Sequence, residues 1–171
     1  VPFEDPGACP FEGCVYREWT AKSVVDVLTE RRKHTKVAFA LEPGEKVTAL
    51  TGVVITLKAG RAQFRESRTL KTDAGLVRID PGETLYLLTY AGEGYTKAWL
   101  RGKLYSGVDT VDFFNAVCDT QPDPCAGRIV EKAVAEWWVQ VRNRRGLVGW
   151  TNEPEQFDGK DAFNGGSPRT P

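Results

Sequence analysis

Turns built on glycine or proline recur about every ten residues in this chain, and each closes a short run of β-branched and aromatic residues. VTALTGVVITL (47–57) lies between PGEK and KAGR. TLYLLTY (84–90) follows a second turn of the same kind, DPGE. YTKAWL (95–100) and KLYSG (103–107) flank Arg101-Gly102, a dipeptide suited to a tight hairpin. WWVQVR (137–142) and LVGWT (147–151) flank Asn143-Arg144-Arg145-Gly146. The expectation is an all-β fold of small barrels with at most short helical turns.

Two segments leave the choice open. SVVDVLTERRKH (23–34) reads as a helix capped by Ser23, with Val24, Val27 and Leu28 on one face, or as a short strand followed by a loop. VDFFNAVC (111–118) reads as one or two helical turns, and NGGSPRTP (164–171) as a flexible tail.

The 171 residues are 41% hydrophobic and 27% charged, enough apolar material for a buried core. Lys+Arg and Asp+Glu both total 23. The basic excess of a nucleic-acid binder is therefore missing. No stretch approaches the roughly 20 apolar residues of a transmembrane helix. The opening, VPFEDPGACPFEGC, reads as an end left by removal of a signal peptide or by trimming.

Four cysteines stand in two close pairs, Cys9/Cys14 and Cys118/Cys125. Even, paired cysteines fit disulfides in an oxidising compartment, and local bridges Cys9–Cys14 and Cys118–Cys125 are preferred among three connectivities. A four-thiolate zinc site is the rival reading. Its C-x4-C and C-x6-C spacings depart from the C-x2-C of zinc ribbons.

The chain also echoes itself. Pro43-Gly44-Glu45 and Pro81-Gly82-Glu83 lie 38 positions apart, and each opens a strand. At the same offset Val47 meets Leu85, and Leu50-Thr51 meets Leu88-Thr89. Two copies of one small β unit explain the match.

These residues resemble the bacterial SH3-like (SH3b) domains. The family pattern, a turn LxPGxxV, a strand, WxxVR, a glycine turn and GW, is met by LEPGEKVTAL (41–50), Trp138-Val-Gln-Val141-Arg142 and RGLVGW (145–150). Residues 53–136 intervene and carry a second copy, DPGETLYLLTY followed by GEGYTKAWLRGKLYSG. The layout that follows is one SH3-like barrel inserted into another. Residues 1–14 form an N-terminal extension, 15–52 plus 129–163 an outer barrel, 53–128 an inserted barrel with its return connection, and 164–171 a tail. Sequential barrels are the alternative. The resemblance implies an exported, non-catalytic binding module for cell-wall peptide or glycan. Docking on another exported protein is the second reading. No cofactor or metal is implied, and the missing eukaryotic ALYDY signature speaks against proline-peptide binding.

In a strand, alternate residues face opposite ways. Trp137, Val139 and Val141 then share a core face, and Trp138, Gln140 and Arg142 share the other. In SH3-like domains the aromatic of WxxVR borders the ligand groove, so Trp138 and Arg142 are expected to make contact unless the inserted barrel covers them. Tyr95 and Trp99 occupy the equivalent places in the inner copy. Trp150 is expected to lock the core, Trp19 to cover a barrel end, and the run Glu30–Lys36 to form a solvated loop. Catalysis has little to work with. His34 is the one histidine, and no P-loop, GxSxG, HExxH or GxGxxG is present. Glu93, Asp109, Asp112 and Glu136 remain as carboxylates for a hydrolase reading.

Overall fold

The computed structural model describes residues 2–110 and 126–163. Cys118, Cys125, Asp112, the segment 111–118 and the tail 164–171 lie outside the described residues. Among the described residues the fold is all-β, 61% strand, with a curled half-barrel sheet and additional sheets. The described residues contain no α-helix and one 3-10 turn, Pro154–Gln156. The chain packs as two compact units. One comprises 5–54 and 136–163 among the described residues, the other 2–4, 55–110 and 126–135.

In chain order the first strands are β1 (Phe3–Pro6), β2 (Glu18–Ala21), β3 (Val25–Leu28), β4 (Val37–Leu41) and β5 (Lys46–Lys58). Then come β6 (Gly60–Phe64), β7 (Arg68–Thr72), β8 (Gly75–Ile79), β9 (Thr84–Gly92), β10 (Tyr95–Leu100) and β11 (Lys103–Asp109). The last are β12 (Gly127–Glu131), β13 (Val134–Asn143), β14 (Val148–Thr151) and β15 (Phe157–Asp158). The largest sheet has the order β15-β2-β5-β13-β14-β3-β4, with β1 also pairing β5. A second sheet has the order β11-β10-β9-β6-β12, and β7 and β8 form a separate hairpin.

The core of the 5–54/136–163 unit gathers Trp19, Val25, Val27, Leu41, Val47, Val139, Val141 and Phe157. Trp19 is fully buried there, more central than a residue that covers a barrel end. Its indole N–H donates to the Val15 carbonyl at 3.0 Å, so burial leaves no polar atom unmet. Val25 and Val27 also decide the ambiguous 23–34 segment. They point inward on alternate positions of β3, opposite Leu41 and Phe39 of β4. Val24, which would have belonged to the helical stripe, is exposed. The helix reading is corrected to strand then loop, because β-branched residues at a spacing of two find a partner strand here.

Residues 5–14 are built into this unit. Cys9 and Cys14 are joined by a disulfide with Cα atoms 5.6 Å apart. Phe11, inside that loop, meets Trp137 edge to face at 5.8 Å. The Tyr16 hydroxyl donates to the Ala8 carbonyl and accepts from the Trp137 indole N–H at 3.1 Å. Burial raises the Tyr16 phenol above its ordinary pKa. Gly52 passes against both rings, and a Cβ there would run into the Tyr16 hydroxyl.

The core of the other unit comprises Ala62, Phe64, Leu70, Ile79, Leu85, Ala98, Leu100 and Val108. Its hairpins use the expected chemistry. Arg101-Gly102 (φ 49° and 77°) joins β10 to β11, and Glu93-Gly94 (φ 51° and 81°) joins β9 to β10. Positive φ at both central residues gives the turn a twist that matches the flanking strands.

The internal echo is geometric as well as textual. Glu42-Pro43-Gly44-Glu45 and Asp80-Pro81-Gly82-Glu83 are both turns with proline second and a positive-φ glycine third, at 87° and 89°. In each, the glutamate carboxylate accepts a hydrogen bond at 2.8 Å from the N–H of the turn's first residue.

Candidate functional site

β10 alternates without interruption. Thr96, Ala98 and Leu100 are buried, and Tyr95, Lys97 and Trp99 lie on the opposite face. In β9, Leu85 and Thr89 are buried and Tyr86 and Tyr90 exposed, although the alternation breaks at Ala91-Gly92. Trp99 pairs with Tyr86 across the β9–β10 ladder and with Leu104 across β10–β11. Tyr86 pairs with Arg61 on β6, and Arg61 pairs with Glu131 on β12. Residues directly opposite one another share a face. One row, Leu104–Trp99–Tyr86–Arg61–Glu131, therefore crosses all five strands.

The two aromatic rings at the middle of that row are each 42% exposed. Together with Pro2, Phe3, Ala59 and Leu88 they line an open, mostly apolar hollow of about 430 Å³. Among the described residues, neither the Trp99 indole N–H nor the Tyr86 hydroxyl makes a hydrogen bond, so both polar tips are available. The charged end of the row is organised by Glu131, which pairs with Lys58 and lies 3.9 Å from Arg61. The Lys58 hydrogen bond holds the Glu131 carboxyl below its usual range, so it stays ionised. The arrangement offers flat apolar rings with a polar, charged margin. It suits a ligand that combines an apolar face with hydroxyl or amide edges.

Of the four contact residues expected from sequence, Trp99 and Tyr95 lie exposed on this face. Trp138 and Arg142 belong to the other unit. Arg142 is exposed on β13, opposite Val148. Trp138 requires a correction: it is only 2% exposed, and its indole N–H is donated to Glu136 at 3.3 Å. Trp138 and Val139 are consecutive and both buried, so both faces of β13 are covered at this point. Alternation marks a solvent face only where one face is bare. The polar Gln140 and Arg142 further along the strand disguised this.

Trp150 also differs from expectation. Its neighbours Gly149 and Thr151 face inward, while the Trp150 ring is half-buried outside the core cluster with the Arg31 guanidinium 5.6 Å above it. The 30–36 loop is thus partly engaged: Arg31 covers Trp150, and Lys33 pairs with Glu136. That contact lowers the Glu136 carboxyl's pKa, which is the wrong direction for a general acid. Glu93 occupies the β9–β10 turn and Asp109 ends β11 opposite Tyr95. Among the described residues no group of three or more His, Cys, Asp or Glu is placed to hold a metal ion. No helix among them is long and apolar enough to cross a membrane.

Tyr86 was not singled out by sequence. Its signal was present in TLYLLTY, where Tyr86 and Tyr90 share a face, but Leu88 between them made both faces look apolar. Comparison with protein-family models, with curated proteins and with solved structures finds no match to this chain.

Proposed function

We propose that the chain is a non-catalytic, exported binding module of SH3-like type that holds a cell-wall glycan against the Trp99–Tyr86 face. One observation carries this reading. Two large aromatic rings stand side by side on an exposed sheet face with their polar tips unused, beside an ion-paired Arg61–Glu131–Lys58 margin. A pyranose ring presents axial C–H groups to such rings and hydroxyls to such tips. A purely apolar partner would leave the indole N–H and phenol O–H without hydrogen bonds on burial. The Cys9–Cys14 disulfide supports an oxidising compartment.

The test is co-sedimentation with purified bacterial sacculi, alongside glycan strands freed of stem peptides and the released peptides themselves. Glycan strands that compete the protein off sacculi support the reading. Competition by peptides alone moves the ligand to the peptide class. No retention on sacculi favours another exported protein as the partner.

A further inference from the structure

Each PGE turn lies beside a hairpin tip of its own unit, and the two differ in what the tip's arginines do. In the unit that carries Trp99, the hairpin tip Arg101-Gly102 reaches the second turn. The Arg101 guanidinium forks onto Glu83 with Nε at 2.6 Å, and its second arm lies 4.0 Å from Asp80. In the other unit, the β13–β14 tip meets the first turn. Here Gly44, Glu45 and Lys46 with Asn143, Arg144 and Arg145 line an opening of about 160 Å³, floored by Ala40 and Leu41.

Two acids beside the opening are already committed. Glu45 caps its own turn through the Glu42 N–H, and Glu18 holds Lys46 at 2.6 Å. Among the described residues, neither Arg144 nor Arg145 has an ion-pair partner, and Arg144 influences Glu18 only at a distance. The tip is closed by its own hydrogen bonds. The Asn143 side-chain oxygen accepts from the N–H groups of Arg145 and Leu147, both at 3.0 Å, and Gly146 closes the turn at φ 83°. Two guanidiniums on this tip thus border an opening whose counterpart is filled by an internal ion pair.

We infer that the opening between the first PGE turn and the β13–β14 tip binds an oxyanion carried by a ligand, a carboxylate or a phosphate ester, through Arg144 and Arg145. Guanidinium forks match either group in planar, two-pronged hydrogen bonds. This site is independent of the aromatic face, so it stands or falls by itself.

The experiment titrates ¹⁵N-labelled protein with sodium phosphate and, separately, sodium acetate, at constant ionic strength set by sodium chloride. The amide signals of Gly44, Arg144, Arg145 and Gly146 are followed. Saturable shifts with either salt are expected. The tighter of the two tells a phosphorylated ligand from a carboxylate one. Arg144→Gln/Arg145→Gln weakens the response about tenfold or more, and Arg101→Gln, whose arginine is already paired, leaves it unchanged. Shifts that stay linear with both salts overturn the inference, as does saturation that survives the double substitution.

Discussion

Trp138→Ala separates a structural tryptophan from a ligand-binding one. The side chain is 2% exposed, so its truncation removes almost the whole indole from a closed environment. Loss of a buried tryptophan costs about 3–5 kcal/mol, from lost burial and the cavity left behind. The hydrogen bond to Glu136 adds little, because that carboxylate keeps Lys33. With a urea dependence of about 2 kcal/mol per M, the midpoint should fall by about 1.5–2.5 M. The assay is urea unfolding followed by circular dichroism, with Trp99→Ala beside it. Trp99 keeps 42% of its surface in solvent, and its midpoint should move by less than about 0.5 M. A Trp138→Ala shift below about 0.5 M would refute the reasoning. The indole would then not be packed, and the groove role expected from sequence would return.

Gly52→Ala should destabilise by about 1–3 kcal/mol, since its Cβ collides with the Tyr16 hydroxyl and crowds the Trp137 N–H; urea midpoints measure it, and an unchanged midpoint would dissolve that cluster. Replacing Cys9 and Cys14 by serine should cost about 2 kcal/mol for so short a loop, read from the same unfolding curves under non-reducing conditions. Acid should loosen the second PGE turn. The Arg101 hydrogen bond lowers the Glu83 pKa, and bonds from Ser67 and Arg78 lower that of Asp80. Carboxylates depressed in the folded state add stability above their unfolded pKa and lose it as pH falls through the folded value. The gap between wild type and Arg101→Gln in urea midpoint should therefore be full near about pH 7 and close below about pH 4. A gap independent of pH would contradict that pairing.

The fold class was legible because it rests on local signals. Turn glycines needing positive φ, such as Gly44, Gly82 and Gly102, and the alternation of YTKAWL report on backbone geometry that neighbours alone determine. The exposure of Trp99 was expected from its matching Arg142 between the two copies, and the alternation of β10 agrees. What was not legible depends on distant parts of the chain. Trp138 and Val139 are both buried because both faces of β13 are covered, and no pattern within WWVQVR announces that. Trp150 lies on the outer face of β14 with Arg31, more than a hundred residues earlier, over its ring. Tyr86 acquires meaning only through its register with Trp99, which the β9–β10 turn sets.

The most direct test of the aromatic face is a tryptophan-fluorescence titration with soluble, peptide-free glycan strands from peptidoglycan. Trp19 and Trp138 are buried, and Trp137 and Trp150 are partly buried in the other unit, so a sugar stacked on this face should act mainly on Trp99. A saturable blue shift that disappears in Trp99→Ala, and weakens in Tyr86→Ala while both variants keep the wild-type urea midpoint, is the predicted result. A saturable change that persists in Trp99→Ala, or no change in the wild type, would contradict the assignment of this face as the binding site.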